Sequence, residues 1–275
     1  MKPLPAEELK EKAAEIRQEI IKMLVLAGSG HSAGPLGLAD IFAALFFNIL
    51  NHDPENPHWE DRDRFFLSCG HVAPAYYATL ALAGYFPMSH LKTLRRLDSP
   101  LQGHPERMKL SMIESSSGPL GLGLAQAAGY AYAARMDEAR FRIFCLTSDA
   151  EHQEGNHWEA VMFAGKNKLS NLTSFIDRNN IQISGDTEEI MPLEPLRDKY
   201  ESFRWNVIEI NGHDFDQIIS AVSGARRESD KPTVIIAKTI PGRGVSFMEG
   251  KYEWHGKAPS ESEAKQALKE LKYKK

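Results

Sequence analysis

Five short apolar runs, each leading through a polar loop toward a helix-like stretch, constrain this chain more than any other feature. They are Phe65–Ser68, Phe141–Thr147, Leu172–Asp177, Asn206–Ile210 and Thr233–Thr239, all rich in β-branched and aromatic residues. Helical stretches are expected between them, at roughly 73–84, 120–138, 154–169, 195–202 and 214–228. Runs that are apolar without alternation belong to strands buried on both faces, and helices between parallel strands supply that cover. The pattern predicts an α/β fold: a mostly parallel sheet with helices on both faces.

Ahead of the first strand, Ile16, Ile20, Met23 and Leu24 recur at helical spacing and predict an amphipathic helix over 6–26. Gly28-Ser29-Gly30 is expected to stop it, with a Gly/Pro-rich turn continuing through Gly37. A second helix is expected from Asp40 to about Leu50, with Asp40 near its start, where a negative charge suits the helix dipole. No repeat or linker-like segment interrupts the chain, so residues 1–275 are expected to form one domain. The short basic tail from Lys269 to Lys275 is read as a solvated helix end.

Composition bounds the function. The 275 residues are 42 % hydrophobic and 25 % charged, with a net charge of −4, a balance that offers nothing to nucleic acid. Cys69 and Cys145 are the two cysteines, without metal-type spacing, which suits a reducing compartment; Cys145, inside an apolar run, is expected to be buried. No apolar stretch approaches the roughly 18 residues of a membrane span, and the N-terminus lacks a signal-peptide core. The chain is expected to be cytoplasmic.

In parallel α/β sheets ligands bind beyond the carboxyl ends of the strands. Ser68-Cys69-Gly70-His71, Ser148-Asp149-Ala150 and Asn179-Asn180 occupy those positions. Asp149 after one strand and Asn179 after the next could supply the oxygen ligands that Mg²⁺ requires, with phosphate oxygens completing the octahedron. The helix beginning near 154 would favour an anion at the same place. An Asp that caps a helix and an Asn in a turn would explain the same residues without any ligand.

Four histidines lie in loops beside small residues: His31 after Gly30, His71 after Gly70, His104 after Gly103, and His255 before Gly256. The other six, His58 and His90 among them, are expected at the surface.

With these motifs in view, the chain resembles the thiamine-diphosphate enzymes, whose signature is Gly-Asp-Gly followed about thirty residues later by Asn. The loop histidines narrow the resemblance to transketolase, as do Asp63-Arg64-Phe65-Phe66-Leu67-Ser68-Cys69-Gly70-His71 and Gly118-Pro119-Leu120-Gly121-Leu122-Gly123. The resemblance implies that Asp149, the Asn179 side-chain oxygen and the Ile181 carbonyl hold Mg²⁺, or another divalent ion such as Ca²⁺ or Mn²⁺. It also implies that His71, Gly118, Leu120, Ala150 and His255 meet thiamine diphosphate. His31, His104 and His255 would contact the carbonyl and hydroxyl groups of a sugar phosphate, and Glu154 would lie toward a partner subunit. Both signature glycines are replaced, by Ser148 and Ala150, which bears on cofactor affinity rather than identity. Ala150 can still donate its N–H provided its φ is not positive.

Ketol transfer explains several imidazoles in one site: an alkoxide must be stabilised and a hydroxyl proton removed as the C–C bond breaks, tasks suited to a group with pKa near 6.5. Full-length transketolases carry a second half that binds the aminopyrimidine ring, and no counterpart is found here. The resemblance therefore implies a heterotetramer, in which two copies of this chain join two copies of a separate pyrimidine-binding subunit. Alternatives are the diphosphate-binding subunit of a 2-oxoacid dehydrogenase, a relative of deoxyxylulose-phosphate synthase, or a non-catalytic relative. A nucleotide-binding oxidoreductase is disfavoured, since no glycine loop follows a strand with the required spacing.

Overall fold

The computed structural model describes residues 2–272. Helix α1, Ala6–Ala27, buries Leu9, Ile16, Ile20 and Leu24 on one face and ends at Gly28 in the left-handed conformation. Helix α2 spans Ala33–Ala44 and runs on as one π-helical turn to Ile49. It begins earlier than Asp40, and part of the Gly/Pro-rich turn expected through Gly37 is helical. Pro35 falls in the first turn, where its missing N–H breaks no bond. Asp40 is thus mid-helix and not near a start. Its carboxylate pairs with Arg17 of α1 and, at 2.7 Å, with His213, so a buried ion pair accounts for the charge there, in place of the helix dipole.

The main sheet contains β1 (Arg64–Leu67), β2 (Ile143–Ser148), β3 (Leu172–Arg178), β6 (Asn206–Asn211) and β7 (Thr233–Lys238), in the order β1-β2-β3-β7-β6 with every pair parallel. All five runs expected as strands are strands, within a few residues at each end. A two-stranded hairpin, β4 (Ile181–Gln182) and β5 (Gly185–Asp186), projects beyond β3.

The expected helices are present as α3 (Ala73–Ala83), α4 (Gly123–Met136), α5 (Gly155–Lys166), α7 (Leu196–Ser202) and α8 (Phe215–Arg227), with a short α6 (Thr187–Ile190) after the hairpin. They cover both faces. Phe65, Phe144, Phe175 and Ile235 pack beneath α1, α2, α3 and α8, whereas Phe66, Cys145, Ile176 and Val234 pack beneath α4, α5 and α7. Cys145 is fully buried, as its apolar setting implied.

Helix α9, Glu261–Glu270, closes the chain on α1 and carries a capping box between Ser260 and Glu263. The described part of the basic tail is its C-terminal end; residues 273–275 lie outside the described residues. No helix among the described residues is long and apolar enough to cross a membrane.

Candidate functional site

The loops leaving β3 and β7 both reach the same cavity. The first forms the hairpin, and the second folds back over α2, where Gly242 N–H donates to the Ala33 carbonyl at 2.8 Å. Ser32 Oγ donates to the Lys257 carbonyl, and His213 Nε2 accepts the Ile240 N–H at 2.8 Å. These bonds draw the loop carrying His255 onto the α1–α2 turn carrying His31. His71 reaches the same place from the 3₁₀ turn that follows β1.

The imidazoles therefore meet. Ring centroids are 5.1 Å apart for His31 and His71, 5.4 Å for His31 and His255, 5.1 Å for His71 and His255, and 6.4 Å for His31 and His104. Burial, followed by the charges of His255, Arg95 and His104, pushes His31 down to about 4. Burial first, then its imidazole neighbours, holds His71 well below the ordinary range; burial lowers His255, and burial with Arg95 lowers His104, the most exposed of the four. At neutral pH the cluster is uncharged, so each ring offers one donor and one acceptor. Nδ1 of His31 and of His255 are buried without a partner among the described residues, a state that a polar ligand would relieve.

A cavity of about 400 Å³ opens at this cluster. Ten of the eleven residues singled out from the sequence line it: His31, His71, His104, Gly118, Leu120, Ala150, Glu154, Asn179, Ile181 and His255. Asp149 does not. It lies fully buried beneath the floor, where Oδ1 accepts the Ala150 N–H at 2.7 Å. Its Oδ2 accepts the Asn180 N–H at 2.8 Å and pairs with Arg178 at 3.0 Å. Burial pushes the Asp149 carboxyl up, and the Arg178 guanidinium opposes that rise. Arg178 also grips Glu188 and, at 3.0 Å, Glu194.

The Asn179 amide is oriented from behind. Its Nδ2 donates to Asp177 at 2.7 Å, and its Oδ1 accepts the Ile181 N–H at 3.0 Å. Thr239, at the end of β7, donates to the other Asp177 oxygen. Asp149 and Asn179 thus come from adjacent strand ends onto one patch, through Asn180. Their donors are oxygens, and each retains a free lone pair, which fits a hard divalent cation whose coordination a diphosphate completes. No group of three or more His, Cys, Asp or Glu suited to a metal occurs among the described residues, so no all-protein cage competes with that arrangement.

Ser148 and Ala150 are accommodated without strain. Ala150 opens a 3₁₀ turn and is outside the left-handed region. Ser148 Oγ donates to Glu151 at 3.2 Å. Glu151, which no sequence motif marks, is the junction of the site. Its carboxylate accepts the Ser148 N–H at 2.8 Å, the Gly121 N–H at 3.0 Å and the Ser68 hydroxyl, and Ser68 Oγ in turn accepts the Gly123 N–H at 3.0 Å. The ends of β1 and β2 and the Gly118–Gly123 segment are thereby fastened together. A Cβ on Gly123 would overlap Ser68, so this close approach requires glycine. Gln153, Gln182, Ile183 and Ser184 also line the cavity; the last three belong to the hairpin, whose two-residue strands are too short to leave a pattern.

Four histidines expected at the surface are not there. His52, His152 and His157 are buried, and His213 is bound to Asp40. His152 and His157 both reach the Tyr200 hydroxyl, at 2.8 and 2.7 Å, while His152 Nδ1 donates to the Ser148 carbonyl at 2.9 Å. Tyr200, 48 residues from His152, supplies the burial that local context could not reveal.

Residues 9–275 match the family described as transketolase, thiamine diphosphate binding domain, and the fold is accordingly that of the thiamine-diphosphate-binding α/β domains. The chain belongs to the transketolase family. It is 43 % identical to the 6-deoxy-6-sulfo-D-fructose transketolase subunit SqwG of Clostridium sp. (strain MSTE9), covering 96 % of both chains. It is 37 % identical to one of the subunits of the apulose-4-phosphate transketolase of Phocaeicola vulgatus, over 98 % of this chain and 95 % of that one. Rat transketolase is 38 % identical over 96 % of this chain, which spans 42 % of its length. Among solved structures, the Campylobacter jejuni transketolase superposes with a TM-score of 0.92 at 37 % identity, over 98 % of this chain and 43 % of that chain.

Proposed function

We propose that this chain is the diphosphate-binding half of a two-chain transketolase that moves a two-carbon ketol unit from a ketose phosphate to an aldose phosphate. One observation carries the reading: uncharged imidazoles from four separate loops converge on the cavity that Asn179 lines, with the Asp149 carboxylate buried beneath its floor. Relatives of nearly the same length are transketolase subunits, which supports a separate second subunit.

Asp149, the Asn179 side-chain oxygen and the Ile181 carbonyl hold Mg²⁺ or a similar divalent cation, which anchors the diphosphate. The Ala150 N–H, His71, Gly118 and Leu120 border the cofactor. When bound, thiamine diphosphate supplies the electron sink that carbon–carbon cleavage needs. His31, His104 and His255 orient the sugar, donate to the oxygen that gains charge and accept the hydroxyl proton released as the bond breaks. Their depressed proton affinity keeps an acceptor nitrogen available at neutral pH.

The mouth of the cavity is incomplete. Leu120 lines it and is exposed, as are Leu122, Tyr132, Met136, Met162 and Phe163 on or beside α4 and α5. An apolar strip continuous with an open site suits a covering partner, and Glu154, exposed at the same rim, faces that side. The partner is a pyrimidine-binding subunit in a two-plus-two assembly. Two-carbon transfer by the co-expressed pair, absent from either chain alone, is the expected result, together with cation-dependent cofactor binding that Asn179→Ala removes. Full transfer by this chain alone, or cofactor binding indifferent to the cation and to Asn179, would overturn the reading.

A further inference from the structure

The carboxylate proposed for the divalent cation already has a cation of its own. Arg178 Nη1 donates to Asp149 Oδ2 at 3.0 Å, and both side chains are buried, 5 and 1 % exposed. The Asn180 N–H donates to the same oxygen at 2.8 Å, and the Ala150 N–H donates to Oδ1 at 2.7 Å. A carboxylate offers about four lone-pair sites. Three are committed within the chain, which leaves one, on Oδ1, for a metal.

Arg178 is fastened in that position. Its Nη2 grips Glu188 and, at 3.0 Å, Glu194. Those carboxylates are tied to the backbone in turn: Glu188 accepts the Leu193 N–H at 3.2 Å, and Glu194 accepts the Leu196 N–H at 2.8 Å. A guanidinium keeps its proton in proteins, so the charge beside Asp149 is permanent. Glu188 and Glu194 are 38 and 58 % exposed, so solvent screens them, whereas Asp149 and Arg178 face each other out of water. Two further buried carboxyls, Asp177 and Glu151, accept only from neutral donors. Burial pushes both up, Asp177 to about 7, which weakens the negative charge they can bring.

We propose that Arg178 bars the free divalent cation, so that the metal enters this site together with a diphosphate and not ahead of it. The proposal rests on the transketolase reading above, which makes the cation and the diphosphate ligands of this chain. A divalent cation on Asp149 would share the carboxylate with a fixed guanidinium, and two positive charges on one buried anion repel each other. The Asp149 and Asn179 oxygens with the Ile181 carbonyl are also too few ligands for an ion that favours octahedral coordination. A diphosphate corrects both shortfalls, since its oxygens complete the coordination and its negative charges outweigh that of Arg178.

The test is equilibrium dialysis of the complex with its partner subunit against Mn²⁺, alone and with thiamine diphosphate, which counts the metal the protein holds. Wild-type protein should reach half-saturation at an Mn²⁺ concentration about ten-fold or more lower when the diphosphate is present. Arg178→Met should gain about ten-fold or more in affinity for Mn²⁺ alone, and Arg178→Lys, which keeps a charge, should gain less. Melting temperature supplies a second readout. Mn²⁺ alone should leave the wild-type value unchanged and raise that of Arg178→Met, where the ion takes over a carboxylate left unpaired. Equal Mn²⁺ retention by wild-type protein with and without the diphosphate would refute the role of Arg178 and leave the transfer reaction standing. So would an Arg178→Met protein that folds and gains no affinity for Mn²⁺ alone; should that variant not fold, the wild-type comparison and Arg178→Lys decide. Failure of wild-type protein to retain Mn²⁺ even with the cofactor would instead remove the cation site, and the transketolase reading with it.

Discussion

Replacing His157 by leucine should flatten the pH dependence of stability. His157 is fully buried at the start of α5; Nε2 donates to the Tyr200 hydroxyl at 2.7 Å, and Nδ1 has no partner among the described residues. Burial first, then the neighbouring His152, holds its pKa well below 6.5. A base depressed in this way favours the folded state above its unfolded pKa, and that advantage is lost as the pH falls below it. From about pH 6.5 to about pH 5 the unfolded chain gains a proton that the folded chain refuses, worth about 2 kcal/mol at 1.36 kcal/mol per unit. His157→Leu has no such proton to gain. At about pH 8 the exchange should be nearly neutral, because a lost hydrogen bond of about 1 kcal/mol is offset by removing an unpartnered buried nitrogen of similar cost. Urea unfolding of both proteins at the two pH values measures the difference; His31 and His71 titrate in both and cancel. Equal stability differences at about pH 8 and about pH 5 would mean that the folded protein protonates His157 freely, refuting the argument.

Asp40→Leu should cost about 3–5 kcal/mol in the same assay, because it strands the buried Arg17 guanidinium and deprives His213 Nδ1 of its carboxylate partner. Glu151→Ala leaves two backbone N–H groups and two hydroxyls without their acceptor. It should cost roughly 3 kcal/mol or more in urea unfolding and weaken cofactor binding by calorimetry, although Glu151 does not line the cavity. Gly123→Ala should lower the melting temperature measurably, since the new methyl group overlaps Ser68. Chelating divalent cations should lower the melting temperature of the cofactor-loaded complex and leave that of the lone chain unchanged, as scanning calorimetry would register.

The sheet was legible because its central strands are buried on both faces, and Phe65, Phe144 and Phe175 on one face with Phe66, Cys145 and Ile176 on the other explain why no alternation occurs. The start of helix α2 is hidden because glycine and proline near 34–37 signal a turn locally, whereas packing against α1 settles the matter. Helix α9 lies beyond the expected helices despite the Ser260–Glu263 box. Among site residues, ten of those bordering the cavity stood out by their loop contexts, whereas Gln153, Gln182, Ile183 and Ser184 did not. Arg178, Glu151 and the His152–His157–Tyr200 nest did not, since their roles depend on partners as many as 83 residues away. Long-range pairing of polar groups leaves no periodic trace in a sequence.

The clasp of Arg178 on Asp149, Glu188 and Glu194 has a consequence for a protein made in two pieces. A deeply buried carboxylate with no cation beside it would ordinarily be a weak point. Here an internal cation already pairs with that charge and ties it to Glu188 of α6 and to Glu194 beyond it. Folding of this chain therefore does not require an outside charge to neutralise that carboxylate.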